Sequence, residues 1–184
     1  PRYLRFVRGI VDTADMPLNI SREMIQESPI LAAIRKGVTG RVLAALEKMA
    51  ENDAQTFKTF WDLFGAIIKE GIYEDFERRV QLLKLARFRT TFSGQETRSL
   101  AEYLADMKDR QTAIYYISGS SIDQLNASPQ LEGFRAKNIE VLLLTDSVDS
   151  FWPTNAPDYE GKTFKSITQG AADLDGLDDA LNNR

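Results

Sequence analysis

Apolar residues recur at helical spacing through the first half of the chain and at strand spacing through the second half. Ser28 followed by Pro29 is a helix-start pattern, with serine as the N-cap and proline at the first helical position. An apolar stripe at helical spacing then comprises Ile30, Ile34, Val38, Val42, Leu46 and Met49. This pattern predicts one long helix that ends before Asp53.

Two more helices are predicted next. Asp53 is suited to cap the second helix, and its buried face is predicted to comprise Phe57, Phe60, Trp61, Phe64, Ile67 and Ile68. Gly71 is predicted to end this helix as a C-cap, and a third helix is predicted from about Asp75 to Ala86. Three consecutive helices with short connections indicate a helical module.

The segment before Ser28 has a different pattern. Tyr3 to Val11 is rich in β-branched and aromatic residues, which predicts a strand. Asp12 to Asn19 contains the breaker Pro17 and is predicted to be a loop. A short helical turn is predicted over Ser21 to Gln26.

Strand signals replace helical periodicity after Arg87. Ser99 and Glu102 form a capping-box pattern, which predicts a short helix to about Asp106. Two apolar runs then indicate buried strands: Ala113 to Ser118 and Ile139 to Thr145.

A helix is predicted between those two strands, from Ser128-Pro129 to near Asn138. A strand–helix–strand unit with apolar strands predicts that the strands are parallel neighbours. Phe164 to Ile167 is predicted to add another strand. The acidic tail from Ala171 to Arg184 is predicted to be a frayed end or part of a junction.

Composition narrows the possible chemistry. The 23 basic and 27 acidic residues give a net charge of -4, which offers no general attraction to nucleic acid or to an anionic membrane. With neither cysteine nor histidine, thiolate chemistry, imidazole bases and histidine metal sites are excluded within these residues. No apolar run approaches the roughly 18 residues of a membrane span. No signal peptide opens the chain, and its start at Pro1 suggests a segment excised from a longer protein.

Two glycine-containing motifs resemble phosphate loops only weakly. Ile117 to Ser121 lacks the other glycines and the lysine of such loops, so an ordinary strand-to-helix turn is the better interpretation. Gly161-Lys162-Thr163 has Ala156 where an earlier glycine is required, so this match is attributed to chance.

Three further features invite a functional interpretation. Asp146 and Asp149 follow a predicted parallel strand, where α/β sites form, although solvated acids and helix caps are commoner than catalytic pairs. Phe151 and Trp152 fit either a plug at the edge of the core or an exposed patch that binds a partner. Arg22, after the proline-containing loop, could bind an anion in bidentate fashion or form an ordinary surface ion pair.

The opening PRYLRFVRGIVDTADMPLNISREMIQ is the most specific motif of the chain. It resembles the signature of the ninety-kilodalton heat-shock protein family, most of all that of its bacterial HtpG-type branch. Further matches, in the expected order, are Phe60-Trp61, Lys69-Glu70-Gly71, Glu74-Asp75, Ile114 to Ile117, Ser128-Pro129 and Ile139 to Asp146. The resemblance extends to about Ile167.

The resemblance implies the middle segment of an ATP-driven, cytoplasmic stress-response chaperone, with an α/β fold. Residues 1–52 would be the end of a first α/β subdomain, with its catalytic loop and a long helix. Residues 53–88 would be a helical connector and 89–168 a smaller α/β subdomain. Residues 169–184 would be the acidic junction to a C-terminal dimerisation domain.

The resemblance also implies roles for single residues. Arg22, in the SRE motif, would reach the γ-phosphate of ATP held by the N-terminal domain of the same polypeptide, and Gln26 would lie at that domain contact. Phe151 and Trp152 fall where the family contacts unfolded client proteins, although Pro153 and the shifted Asn155 depart from its pattern.

Taken alone, this segment is expected neither to bind ATP tightly nor to hydrolyse it. ATP with Mg²⁺ is expected in the full-length protein only, and no metal site is expected here. The fragment is expected to be a monomer or a weak dimer. The alternative to a chaperone segment is a stand-alone α/β adaptor module without nucleotide chemistry, whose partner binds the Phe57–Trp61–Phe64 helix or the Phe151–Trp152 pair.

Overall fold

The N-terminal segment packs as a short helical turn instead of the predicted strand. In the computed structural model, which describes residues 1–15, 28–156 and 158–177, Arg2–Leu4 form a 3₁₀ turn and residues 1–15 contain no strand. Tyr3 is buried, and its hydroxyl donates to Asp75 Oδ2 at 2.6 Å. The strand prediction for Tyr3 to Val11 was wrong. Tyr3 and Leu4 are buried in the 3₁₀ turn, whereas Val7, Ile10 and Val11 are exposed. Aromatic and β-branched residues form strands only where neighbouring strands and burial support them.

The three predicted helices are present: α1 (Pro29–Asn52), α2 (Ala54–Glu74) and α3 (Arg79–Leu85). The third begins at Arg79, later than the predicted start at Asp75. Ser28 and Pro29 occupy the N-cap and first-turn positions of α1. The Asp53 carboxylate caps α2 by accepting from the backbone N–H of Thr56 at 3.1 Å.

The predicted end of α2 at Gly71 was wrong, since the helix continues to Glu74. Gly71 is buried, and a β-carbon there would lie 2.7 Å from Leu82 Cδ1 and 2.8 Å from Tyr3 Cγ. This glycine therefore allows α3 and Tyr3 to approach the helix closely, and the apolar pattern alone could not distinguish that role from a C-cap.

The long helices bury their predicted faces only in part. On α2, Phe57, Trp61 and Ile68 are buried as predicted. On α1, the buried residues are Thr39, Leu43 and Leu46, while Val38 of the predicted stripe is exposed. The predicted α1 stripe was partly wrong because residues four apart do not stay on one face of a helix with 3.6 residues per turn.

The second half of the chain folds around a five-stranded mixed sheet, which confirms the α/β class. Its strands are β1 (Arg87–Thr90), β2 (Arg98–Ser99), β3 (Ala113–Ser118), β4 (Val141–Leu144) and β5 (Thr163–Ser166). The spatial order is β2-β1-β4-β3-β5.

The predicted parallel pair is confirmed, because β3 runs parallel to β4 with Tyr116 opposite Leu142. β5 confirms the last predicted strand and is also parallel to β3. β1 is antiparallel to both β2 and β4. These first two strands were not predicted, since they are very short and rich in arginine.

Short helices connect the strands. They are α4 (Leu100–Ala105), α5 (Ile122–Asn126), α6 (Glu132–Ala136), α7 (Trp152–Asn155) and α8 (Ile167–Gly170), with 3₁₀ segments at Pro129–Leu131, Ser147–Ser150 and Ala171–Leu177. The predicted capping box is confirmed: Ser99 Oγ accepts from the N–H of Glu102, and Glu102 accepts from the N–H of Ser99. The predicted helix after Ser128 is present as a 3₁₀ turn continued by α6.

Each face of the sheet has its own apolar cluster. One cluster joins the helices and Tyr3 to Phe88, Ile114 and Leu142. The other packs Tyr115 and Leu143 against the segment between β3 and β4 and against the segment that follows β5. Both faces are therefore covered, which explains why β4 is apolar throughout.

The first part of the tail is not frayed, so the frayed-end alternative is wrong there, while the junction alternative stays a prediction. Ala171–Leu177 form a 3₁₀ segment in which Leu177 is buried. Asp173 in this segment accepts from Lys165 Nζ at 2.8 Å. Residues 178–184 lie outside the described residues. The predicted subdomain boundaries stay predictions, and the apolar cluster under α1–α3 extends continuously onto the sheet.

No helix among the described residues is both long and apolar enough to cross a membrane.

Candidate functional site

The predicted site residues fall in two places. Arg22 and Gln26 lie outside the described residues. Phe151 and Trp152 lie beyond the carboxyl end of β4, where the chain passes from the Ser147–Ser150 turn into α7.

The structure separates the two aromatic residues of this pair. Trp152 is 0% exposed, and its ring packs between Phe88 of β1 and Phe164 of β5, with centroid distances of 5.6 and 5.0 Å. Phe151 is 56% exposed and lies 6.1 Å, ring to ring, from Tyr73 of α2, itself 49% exposed. Trp152 is thus the plug of the core, and Phe151 with Tyr73 forms the surface that we name the aromatic pair.

Buried charges hold this region together. Lys69 of α2 is only 4% exposed, and its Nζ lies 2.7 Å from Asp149 Oδ1 and 2.8 Å from Asp146 Oδ2. The indole Nε1 of Trp152 donates to the same Asp149 Oδ1 at 2.7 Å. We name Lys69, Asp146, Asp149 and Trp152 the lysine cluster.

Local sequence explains why the chain turns here. Asp149 Oδ2 accepts from the backbone N–H of Asp146 at 2.9 Å, so the two aspartates form a capping box around the Ser147–Ser150 turn. Pro153 stands in the first turn of α7, where a missing N–H costs no hydrogen bond. Asn155 Nδ2 donates to the Phe151 carbonyl at 2.6 Å, which fixes the backbone of the exposed ring.

A groove of about 210 Å³ opens beside the lysine cluster. Leu63 and Ala66 of α2 line one side, while Arg89 of β1 and Ile122 of α5 line others. Leu63 is exposed, so an apolar rim lies next to the buried charges. Asp62, Arg87 and Thr97 also line the groove, so it combines charged and apolar surface.

The lysine cluster itself offers no catalytic chemistry. Both Asp149 oxygens are engaged by donors, and Lys69 is shared between two carboxylates. Asp146 and Asp149 are therefore a helix cap and an ion-pair partner, as the structural interpretation of this acidic pair predicted. The aromatic pair adds an exposed apolar surface to this region.

Two members of this site were missed from the sequence. Lys69 follows Ile68 on the buried face of α2, and a lysine in that position signals a buried carboxylate partner. Tyr73 lies one helical turn beyond Lys69, so both project towards the same loop. A helical-wheel view of α2 would have found them, but not their partners 80 residues away in sequence.

The two weak phosphate-loop matches are ordinary turns. Ser121 caps α5 by accepting from the N–H of Gln124, and the Gln124 side chain accepts from Ser120. Gly161 adopts a positive φ of 78° in the turn that leads into β5.

Comparisons with known proteins agree with this fold. A family model described as Hsp90 protein matches residues 1–184. The chaperone protein HtpG of Rhizobium etli is 71% identical over 174 residues, which cover 95% of this chain and 28% of that protein. The HtpG of Rhizobium meliloti is 67% identical over 177 residues, which cover 96% of this chain and 28% of that protein.

A solved structure shows the same architecture. The middle domain of a Plasmodium falciparum protein assigned as a heat shock protein superposes with a TM-score of 0.79 at 29% identity. The match covers 91% of this chain and 64% of that one. The chain thus spans less than a third of the length of the two HtpG relatives.

Proposed function

The chain belongs to the Hsp90 family, and we propose that it acts as the middle segment of a cytoplasmic ATP-dependent chaperone. In this proposal the segment supplies Arg22 to the γ-phosphate of ATP and Phe151 to client proteins. Its partners are the N-terminal ATPase domain and C-terminal dimerisation domain of the same polypeptide, together with unfolded clients. ATP with Mg²⁺ is bound by the full-length protein.

One observation carries the proposal: the family match spans the whole chain. The described fold, which is similar to that of a middle domain, supports it. The alternative of a stand-alone adaptor module draws on exposed apolar side chains such as the aromatic pair, and the chaperone proposal uses that same pair.

Arg22 would act through charge and position. A guanidinium presents two parallel N–H donors to phosphate oxygens and neutralises the charge that develops on them during transfer. Contact with the γ-phosphate also favours the closed ATP-bound state over the ADP-bound state, because ADP lacks that group. Gln26, one helical turn further along, would support the same domain contact. Neither residue performs acid or base chemistry.

Phe151 is the better candidate for client contact, and Trp152 acts indirectly. An exposed ring next to Tyr73 presents apolar area to a client chain. The buried Trp152 cannot touch a client, so its contribution is to hold Phe151 in place.

ATP hydrolysis by the full-length protein tests the Arg22 proposal. Loss of a charge-assisted contact is worth about 1.5–3 kcal/mol, so Arg22→Ala should lower the steady-state rate roughly ten- to a hundredfold. ATP affinity and the melting temperature should change little. Arg41→Ala, an exposed arginine of α1, is the matched control and should hydrolyse ATP normally. An unchanged rate in Arg22→Ala would refute the proposed contact.

A further inference from the structure

We propose that Lys69 is a positioning residue for the Phe151 contact. Through Asp149 it ties the loop after β4 to α2, and it thereby determines where the exposed ring stands. This inference rests on the proposed client contact at Phe151, and it assigns a role to a buried residue that touches no client.

The geometry places Phe151 between two fixed points. Asp149, two residues before it, is held by Lys69 at 2.7 Å, and Trp152, immediately after it, donates to the same carboxylate at 2.7 Å. The Phe151 backbone is further fixed by its N–H bond to the Val148 carbonyl at 3.0 Å. Because Asp149 and Trp152 are both held towards the core, the Phe151 side chain faces outward.

The same helix positions both rings of the aromatic pair. Tyr73 follows Lys69 by one helical turn on α2. Because Lys69 anchors the loop after β4, it also fixes the distance between that loop and Tyr73. Lys69 Nζ lies 5.7 Å from the centre of the Phe88 ring, against which Trp152 packs. A shift of Lys69 would therefore change the packing of Trp152 as well as the position of the loop.

A contribution to folding stability does not by itself explain why a lysine is buried at this position. Well-packed apolar residues often stabilise a core as much as a buried ion pair does, because removing charges from water is costly. A charge pair with short, directed hydrogen bonds specifies one geometry, whereas apolar contacts allow several. We therefore assign the lysine to the placement of the loop.

The inference is tested by a double-mutant cycle in the full-length protein, with reduced, carboxymethylated lactalbumin as a permanently unfolded probe. Phe151→Ala and Lys69→Met should each weaken probe binding about fivefold. The double variant should bind no more weakly than Phe151→Ala alone, because Lys69 acts only through the ring. The melting temperature should fall for Lys69→Met.

Arg98→Met is the matched control, since Arg98 also pairs with a buried carboxylate, Glu140, at 2.7 Å. It should lower the melting temperature in the same way but leave probe affinity unchanged. If Lys69→Met does not fold, Asp149→Asn replaces it in the cycle, with the same expected non-additivity.

The outcomes separate the two proposals. Unchanged binding by Phe151→Ala would refute the client contact itself. Weaker binding by Phe151→Ala, with additive losses in the double variant or an equal loss in Arg98→Met, would leave the client contact standing and overturn the role of Lys69.

Discussion

A buried carboxylate stands at each end of β4, and each is held in a different way. At the amino end, Glu140 is 4% exposed and accepts from Thr90 Oγ1 at 2.6 Å and from Arg98 Nε at 2.7 Å. At the carboxyl end, Asp149 accepts from Lys69 and from the Trp152 indole. At both ends one cationic side chain is shared between two carboxylates: Arg98 also contacts Asp106, and Lys69 also contacts Asp146.

The partners of the two carboxylates come from different parts of the chain. Those of Glu140 lie on β1 and β2, and the neighbouring Tyr103 hydroxyl of α4 donates to the Glu140 carbonyl at 2.7 Å. Asp149 instead takes its lysine from α2, 80 residues earlier. The first network secures one edge of the sheet, whereas the second joins the helices to the sheet directly below an exposed ring. Similar chemistry thus has a structural role at one end of the strand and a surface-positioning role at the other.

The largest expected effect is the difference in unfolding free energy between Trp152→Ala and Phe151→Ala. Trp152→Ala should lower the free energy of unfolding by about 3–5 kcal/mol, because it empties the site between Phe88 and Phe164. Phe151→Ala should change it by no more than about 0.5 kcal/mol, since that ring is largely exposed. Urea unfolding of both variants measures the contrast. Equal losses would show that Phe151 belongs to the core after all.

An intermediate effect is expected at the amino end of β4. The Tyr103 hydroxyl accepts from the backbone N–H of Tyr115 at 2.9 Å and from Gln111 Nε2 at 3.1 Å. Tyr103→Phe leaves buried polar groups without this partner, so the free energy of unfolding should fall by about 1–3 kcal/mol. Binding of the unfolded lactalbumin probe should not change. A loss of binding as large as that of Lys69→Met would remove the distinction between the two networks.

The smallest expected effect is a change in pH dependence at Glu140. Burial raises the pKa of this carboxyl above its ordinary value, although Thr90 and Arg98 act in the opposite direction. The folded state then binds the proton more tightly than the unfolded state, so the stability from this group is present at acid pH. That stability is lost as the pH rises from the ordinary glutamate pKa through the raised one.

Glu140→Gln removes this titration while keeping the side-chain shape. Relative to the variant, the wild type should therefore lose stability as the pH rises through that window. Unfolding free energies measured from acid to neutral pH report the difference. A wild type that gains stability relative to the variant over this range would mean that Arg98 outweighs burial.

Much of the fold was predictable because local patterns determine it. Ser28-Pro29, Asp53 and the Ser99–Glu102 capping box mark helix starts, and each was found where predicted. The apolar runs of β3 and β4 indicated a parallel pair, since strands of this kind are covered on both faces. By contrast, β1 and β2 are too short to show a period.

The candidate site was predictable only in outline. The sequence alone located Phe151 and Trp152 but left open which of them is exposed, because an aromatic residue serves either role. It also identified Asp146 and Asp149 without their basic partner. The roles of Arg22 and Gln26 rest on resemblance, and they stay predictions.

The sequence by itself thus determined the helix starts, the parallel strands and the family, since these depend on residues close together in the chain or on motifs in fixed order. Only the tertiary structure decided that Gly71 is a packing position, that Trp152 is buried and that Lys69 meets Asp149. The physical reason is that burial and ion pairing depend on which surfaces meet, and these surfaces come from segments up to 80 residues apart.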